Sequence, residues 1–214
     1  MPRRLITDRH VRDAAAAGQT ELAVTPDTLV TALARDTARS LGLLFVERTS
    51  EAPPSPERVE APPKTLALGC DHAGFAYKAA LQAHAESLGW TVTDVGTTSE
   101  ESVDYPDFAF AVARLVHQGT VRFGVMLDGV GVGSAMVAGK VPGVRAALCP
   151  DVFSAFNARA HNDANVLTLG SRTMGIEACK RVLAEFLTTD FEGGRHARRV
   201  QKIGDVEARF LPGA

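Results

Sequence analysis

The stretch VRFGVMLDGVGVGSAMVAGK, residues 121–140, decides how this chain folds. Residues 123–127 are an apolar run of the length of one buried parallel strand, and the glycines at 129, 131 and 133 then let the backbone turn tightly before residues 134–140 start a helix. A strand, a glycine turn and a helix N-terminus make a cradle for an anion. Amide N–H groups of the first helical turn have no partner within the helix, and glycine lets a bound group come close. Asp128 stands at the lip of this cradle. The local sequence leaves two roles open for it, an N-cap for the turn that follows or a base held against a bound substrate.

Outward from this stretch, strand and helix alternate. Apolar strand candidates cover residues 66–70, 91–95, 123–127, 144–148 and 166–169, with helical segments at 73–88, 106–118, 133–140, 151–161, 176–187 and 195–208. Such alternation predicts right-handed parallel crossovers, hence an α/β fold with an open doubly wound, Rossmann-like, five-stranded parallel sheet. Ligands of such sheets bind above the carboxyl ends of the strands. The polar residues expected there are Asp71 and His72 after the first strand, Gly96, Thr97, Asp104 and Tyr105 after the second, and Asp128 with its glycines after the third. His161 and Asn162 close the helix before the last strand and are expected to join them. Arg195 and Arg199 lie four apart on one helix face, so their guanidinium forks can converge on one anion or can equally form a solvated charged face. The glycine spacing in GVGVG does not match the dinucleotide fingerprint.

Residues 49–63, TSEAPPSPERVEAPP, hold five prolines among Ser, Glu and Ala and read as a semi-rigid tether. Before it, residues 1–48 read as a small unit. Asp8 is expected to cap an alanine-rich helix ending at Gly18, residues 21–24 are extended, Asp27 or Thr28 opens a second helix through Ser40, and residues 43–46 form a strand after Gly42. About fifty residues are marginal for independent stability, so this piece is expected to dock on something. The third segment, residues 64–214, carries the chemistry.

Composition narrows the class. With 214 residues, 45% hydrophobic content and a net charge of −2, the chain can bury one good core and a small appendage. It has no Lys/Arg block to suit a nucleic acid or an anionic membrane. No apolar run approaches the ~20 residues of a membrane span, and the N-terminus lacks the apolar core of a secretory signal, so a cytoplasmic location is expected. Cys70, Cys149 and Cys179 are odd in number and sit in apolar patterns, which suits reduced core thiols rather than a zinc site.

The motifs GCDHAGF (69–75), DVGTTSEESVDYPDFA (94–109), VAGKVPGVRAALC (137–149), HNDANVLTLGSR (161–172) and FEGGRHARRV (191–200), with the glycine turn, together resemble one family. It is that of the type B ribose-5-phosphate isomerases and the related galactose-6-phosphate isomerase subunits, over residues 65–205. The resemblance implies an aldose–ketose isomerase of sugar-phosphate metabolism that needs no metal or cofactor. It implies a homodimer or tetramer whose sites are assembled across subunits. It further implies that Asp71 and His161 assist ring opening and proton shuttling, and that His72, Arg195 and Arg199 hold the phosphate with His196 nearby. Tyr105 and Asn162 would line the sugar, and the amides of Gly129, Gly131 and Gly133 would stabilise the enediolate.

The chain departs from that pattern. Asp128 stands where typical members have a cysteine base, Val130 where they have a ring-opening threonine, and Ser134 where others have a glutamate base. A carboxylate can move the proton as a thiolate does, so Asp128 is expected to be the base. Loss of the threonine points to a substrate with no ring to open, such as erythrose or erythrulose 4-phosphate, whose O4 is esterified. A chain lacking both family groups can also be a silent sugar-phosphate-binding subunit of a hetero-oligomeric isomerase. Residues 20–43 faintly resemble N-terminal regions of enzymes associated with bacterial microcompartments, which implies docking on a shell or cargo partner through residues 1–48; the same unit can equally pack on its own catalytic domain or a partner subunit.

Overall fold

The computed structural model describes residues 5–24, 28–47 and 64–211. The tether at 49–63 and the candidate helix start Asp27 lie outside the described residues. The chain divides into two compact units, Met1–Glu57 and Arg58–Ala214.

The first unit runs β1 (Leu5–Ile6), α1 (Asp8–Ala16), β2 (Glu21–Val24), β3 (Leu29–Val30), α2 (Ala32–Leu41) and β4 (Leu44–Glu47). Its two halves repeat one motif. Leu5 pairs with Leu29 and Ile6 with Val30, β2 pairs parallel with β4, Thr7 and Thr31 stand at the helix N-caps, and Gly18 and Gly42 both take left-handed backbone after the helices. Glycine fits there because it has no Cβ to clash. Thr31, whose Oγ1 accepts from the Ala34 N–H at 3.2 Å, opens the second helix instead of Asp27 or Thr28; residues 29–30 are needed as a strand against β1. Thr7 rather than Asp8 is likewise the first cap. Ile6, Val11, Leu22, Val24, Ala34, Ala38 and Leu43 form the core of this unit.

In the second unit β5 (Thr65–Cys70), β6 (Thr91–Asp94), β7 (Phe123–Asp128), β8 (Ala146–Leu148) and β9 (Val166–Gly170) form one parallel sheet of order β6-β5-β7-β9-β8. Between and after them lie α3 (Phe75–Ser87), α4 (Tyr105–His117), α5 (Val132–Ala138), α6 (Val152–Ala160), α7 (Ile176–Thr188) and α8 (Gly194–Ala208). The first crossover leads from β5 out to β6, the second returns past β5 to β7, and the later ones lead from β7 the other way to β8 and β9. The order therefore reverses between β5 and β7, where such sheets open a crevice.

Strand alternation fills both faces. Leu66, Leu68, Val125, Leu127, Leu167 and Leu169 pack with α3, α6 and α7 residues such as Leu81, Ala155 and Phe186, while Ala67 and Val166 pack with Val112 and Ala138 of α4 and α5. Gly69 and Gly124 bring α4 onto the sheet, since a Cβ at either would come within 2.6 Å of a Val112 methyl. Burial pushes the thiols of Cys70 and Cys149 up to about 11, as suits inert core residues.

One buried cation ties the amino edge of the sheet together. Arg159, 3% exposed, donates to Asp163 Oδ1 at 2.9 Å and to the Ala164 carbonyl, and its guanidinium lies 4.5 Å from the Phe123 ring centroid. Burial lowers its pKa and Asp163 pulls the other way. Asp163 takes a left-handed φ of 47° that puts its carboxylate between Arg159 and Arg145. No helix among the described residues is long and apolar enough to cross a membrane.

Asp163→Asn keeps a side chain that tolerates left-handed backbone but removes the charge facing a buried guanidinium. It is expected to cost about 2 kcal/mol in urea unfolding, since the carboxylate is itself partly exposed. Trp90, stacked on Phe123 with centroids 5.4 Å apart, is a fluorescence reporter for this unit. An unchanged midpoint would mean that the pair is silent.

Candidate active site

The residues expected to act together form two clusters at opposite edges of the sheet. The first lies at the carboxyl ends of β5 and β7. Asp71 follows β5 directly, donates its backbone N–H to the Leu127 carbonyl at 3.0 Å, and is 4% exposed. Its Oδ1 accepts from the N–H groups of Ala73 (2.9 Å) and Gly74 (3.0 Å), a local turn that an Asp two residues upstream closes readily. Its Oδ2 has no partner among the described residues. His72 accepts the Val103 N–H on Nδ1 at 3.3 Å, which leaves Nε2 for a ligand. Beneath them, Lys78 holds the loop after β6 through the Thr97 carbonyl and Asp94 Oδ2, both at 2.7 Å. Tyr105 opens α4 with its ring against Gly133, where a Cβ would meet the Tyr105 hydroxyl oxygen at 2.5 Å.

Asp128 is bound into its own turn. Oδ1 accepts from the Val130 N–H at 2.7 Å and from the Gly131 N–H, while Oδ2 accepts from the Ser134 N–H at 3.3 Å and from the Ser134 hydroxyl. A carboxylate offers about four acceptor positions, and here four donors take them. The side chain, expected to be a base, caps the turn, the other role its local sequence allows, and all four acceptor positions are used. Gly131, with φ 86°, supplies the left-handed step that aims these amides back at Asp128, and Ser134 is fully buried to complete the set. The cradle is altered accordingly. The Gly131 N–H expected to stabilise an oxyanion is already donated, whereas those of Gly129 and Gly133 have no acceptor among the described residues.

Arg172, absent from the sequence-based set, belongs to this cluster. It lies two residues past β9, its backbone N–H donates to the Gly129 carbonyl at 3.0 Å, and its exposed side chain crosses Gly129, where a Cβ would lie 3.5 Å from Arg172 Cδ. Its place one residue past the strand-closing Ser171 was the available signal. Val130 is 48% exposed on the same rim.

The second cluster lies at the amino edge of the sheet. Crossover helices run against the strands, so His161, which ends α6, and Arg195, which begins α8, face away from the first cluster. The Glu192 N–H donates to the Ala160 carbonyl at 3.0 Å, and Arg122, just before β7, pairs with Asp190 at 3.6 Å. The His161 and His196 rings stack with centroids 4.1 Å apart and planes 5° apart. Asn157 Nδ2 donates to His161 Nδ1 at 2.8 Å, and Asn162 Nδ2 donates to Asn157 Oδ1 at 3.1 Å. Arg195 Nε donates to His196 Nε2 at 3.2 Å, while Glu192 Oε2 lies 3.5 Å from His161 Nε2 and 3.7 Å from His196 Nε2. Burial holds His196 below the ordinary histidine range, helped by the charges of His161, Arg195 and Arg199 and opposed by Glu192. Arg195 and Arg199 are exposed beside it. His161, Asn162, Arg195, His196 and Arg199 thus stand together, but Asp71, His72, Tyr105 and Asp128 are not with them in one chain.

The family model described as Ribose/Galactose Isomerase matches residues 66–203. Ribose-5-phosphate isomerase B of Escherichia coli (strain K12) is 44% identical over 146 residues, covering 68% of this chain and 98% of that protein. The D-erythrulose-4-phosphate isomerase of Pectobacterium atrosepticum is 39% identical over 145 residues, covering 67% and 95%. Among solved structures, ribose-5-phosphate isomerase B of Clostridium thermocellum superposes with a TM-score of 0.67 at 41% identity, over 69% of this chain and 99% of that one. The parallel sheet, the polar ends of β5 and β7 and these similarities agree, and the chain belongs to the ribose/galactose isomerase family of sugar-phosphate isomerases.

Proposed function

We propose that this chain interconverts an aldose and a ketose phosphate through a cis-enediolate, with Asp71 moving the proton and Asp128 holding the turn. The observation that carries this reading is the asymmetry of the two neighbouring carboxylates: both Asp128 oxygens are taken, while Asp71 Oδ2 is not. A base on Asp71 takes the C2 proton as the C2–H electrons form the C1–C2 double bond. The C1 carbonyl electrons move onto O1, the O2–H proton passes to O1, and the carbon-bound proton returns to C1 as C2 becomes the carbonyl, so no oxidant or reductant is consumed. Free amides at Gly129 and Gly133 and the Tyr105 hydroxyl are the available donors for the enediolate oxygens.

A phosphate needs cations, and the cluster at Asp71 offers His72 and Arg172. Arg195, Arg199, His196, His161 and Asn162 come to that cluster from a second copy, in a homodimer or tetramer with shared sites. The separation of the two clusters supports this assembly, since each is incomplete alone. A tetrose 4-phosphate is the favoured substrate: it cannot close a furanose, Val130 replaces a hydroxyl, and the Pectobacterium relative is named for such a sugar. The saturated Asp128 also supports a second reading, a subunit that binds the sugar phosphate without turning it over.

The N-terminal unit is assigned to docking on a partner, a microcompartment shell or cargo enzyme. Support comes from Leu33 (58% exposed) and Leu44 (65% exposed), because the repeat half carries exposed Arg9 and Thr20 where these stand.

Turnover of tetrose and pentose phosphates by the purified chain in deuterated water is the test. The wild type is expected to isomerise erythrulose 4-phosphate with deuterium entering at carbon. Asp71→Asn is expected to lower kcat by about a thousand-fold at unchanged melting temperature. Asp128→Ala is expected to lose about 3 kcal/mol of stability, as buried charged hydrogen bonds are lost. An inert wild type whose melting temperature rises with sugar phosphate would establish the binding subunit instead. In the full chain, Leu33→Glu with Leu44→Glu should abolish co-sedimentation with shell or cargo proteins while oligomer size and turnover stay unchanged; retained co-sedimentation would remove the docking role.

A further inference from the structure

Glu192 puts a carboxylate inside a cluster of cations and imidazoles. Three ligand atoms, from His161, Glu192 and His196, lie within 4.8 Å of one another, the spacing of a metal site. The ring geometry excludes that use in this arrangement. Rings only 5° from parallel project their nitrogen lone pairs side by side, whereas a tetrahedral ion needs them to converge. The Arg195 guanidinium also occupies the lone pair of His196 Nε2. A second cation there would meet Arg195 directly.

The surroundings suit an anion, and an anion is already present. The Glu192 carboxylate approaches both Nε2 atoms at 3.5 and 3.7 Å, beyond hydrogen-bond length, and its side chain is 51% exposed. No directed bond holds its side chain, so it can be displaced at small cost. The backbone at this point is fixed by the Glu192 N–H bond to the Ala160 carbonyl, so displacement requires only side-chain rotation. Gly193 and Gly194, with φ of 66° and 51° and no atom within 4 Å of a would-be Cβ, leave open space beside it.

We propose that Glu192 is a displaceable internal anion: in the free protein it occupies the position beside His161 and His196, next to Arg195, that the substrate's phosphate takes on binding. This rests on the reading of Arg195 and Arg199 as phosphate ligands. A resident carboxylate balances two guanidinium charges that would otherwise take up any small anion. Dianionic phosphate, which gains bidentate bonds to arginine forks, displaces it where a monoanion does not. Selectivity for a phosphate group thus comes from an opposing element as well as from attractive ones.

Calorimetric titration of the full-length protein with inorganic phosphate tests this. Glu192→Gln removes the charge and is expected to bind phosphate about five-fold more tightly or better, while Glu192→Asp, which keeps the charge, stays within about two-fold of wild type. Chloride and acetate are expected to compete with phosphate in the Gln variant and not in the wild type. Equal or weaker phosphate binding by Glu192→Gln overturns the proposal. A wild-type crystal structure with phosphate gives an answer that needs no variant: Glu192 Oε2 should leave both imidazoles, and finding it in place beside a bound phosphate overturns the proposal. Absence of phosphate binding in both wild type and variant would instead overturn the ligand role of the arginines themselves.

Discussion

Direction in a parallel sheet governs this molecule. Every strand of the second unit points the same way and every crossover helix returns, so residues after strands and residues after helices collect at opposite edges. Asp71, His72 and Arg172 follow strands and Asp128 ends one; His161, Asn162 and Glu192 follow helices, and Arg195 lies in the first turn of one that starts from the same edge. The same geometry makes the core, since alternate strand residues must face helices on both sides. The buried Arg159, sandwiched by Phe123 and Asp163, stiffens the edge that carries the second cluster. Within a single copy the fold therefore keeps these two groups of polar residues apart.

The turn after β7 resolves a competition between two uses of one carboxylate. A side chain at its position can reach a ligand or reach the orphan amides of the turn it begins. With Gly131 in left-handed backbone and a serine hydroxyl at 134, the turn presents four donors at short range, and nothing equally strong pulls Asp128 outward. Asp71 begins a turn with only two such donors, both directed at one oxygen, and keeps the other. The difference in chemical availability thus arises from the number of backbone donors each turn supplies. The two groups are otherwise alike in type, burial and place at the sheet edge.

Much of this was legible in the residues. Strand and helix periods read to within two residues of most observed ends, because buried strands and amphipathic helices leave unlike spacings. The glycine turn and the inert cysteines were legible for the same local reasons. The conformation of Asp128 was not, since a rotamer inside a turn depends on how many amides converge there, and the cap and base readings share one residue type. Helix direction alone places His161 at the opposite edge, whereas the motif that carries it says nothing of direction and groups it with the strand ends. Arg172 was hidden by its place in a longer motif, and the start of α2 was misread because Thr28 and Thr31 offer equal capping chemistry. The repeat in the first unit is faint in the sequence because its halves share few identical residues beyond Leu5/Leu29, Thr7/Thr31 and Gly18/Gly42.

Complementation between two inactive variants is the most direct measurement of a site shared between copies. Asp71→Asn damages only the cluster at the strand ends, and Arg199→Ala only the cluster at the opposite edge. Unfolded together and refolded as a mixture, half of the pairs would be mixed, and each mixed pair would hold one intact site. About a quarter of the wild-type rate should therefore return. A mixture as inactive as its two components, despite formation of mixed oligomers, would contradict the shared site.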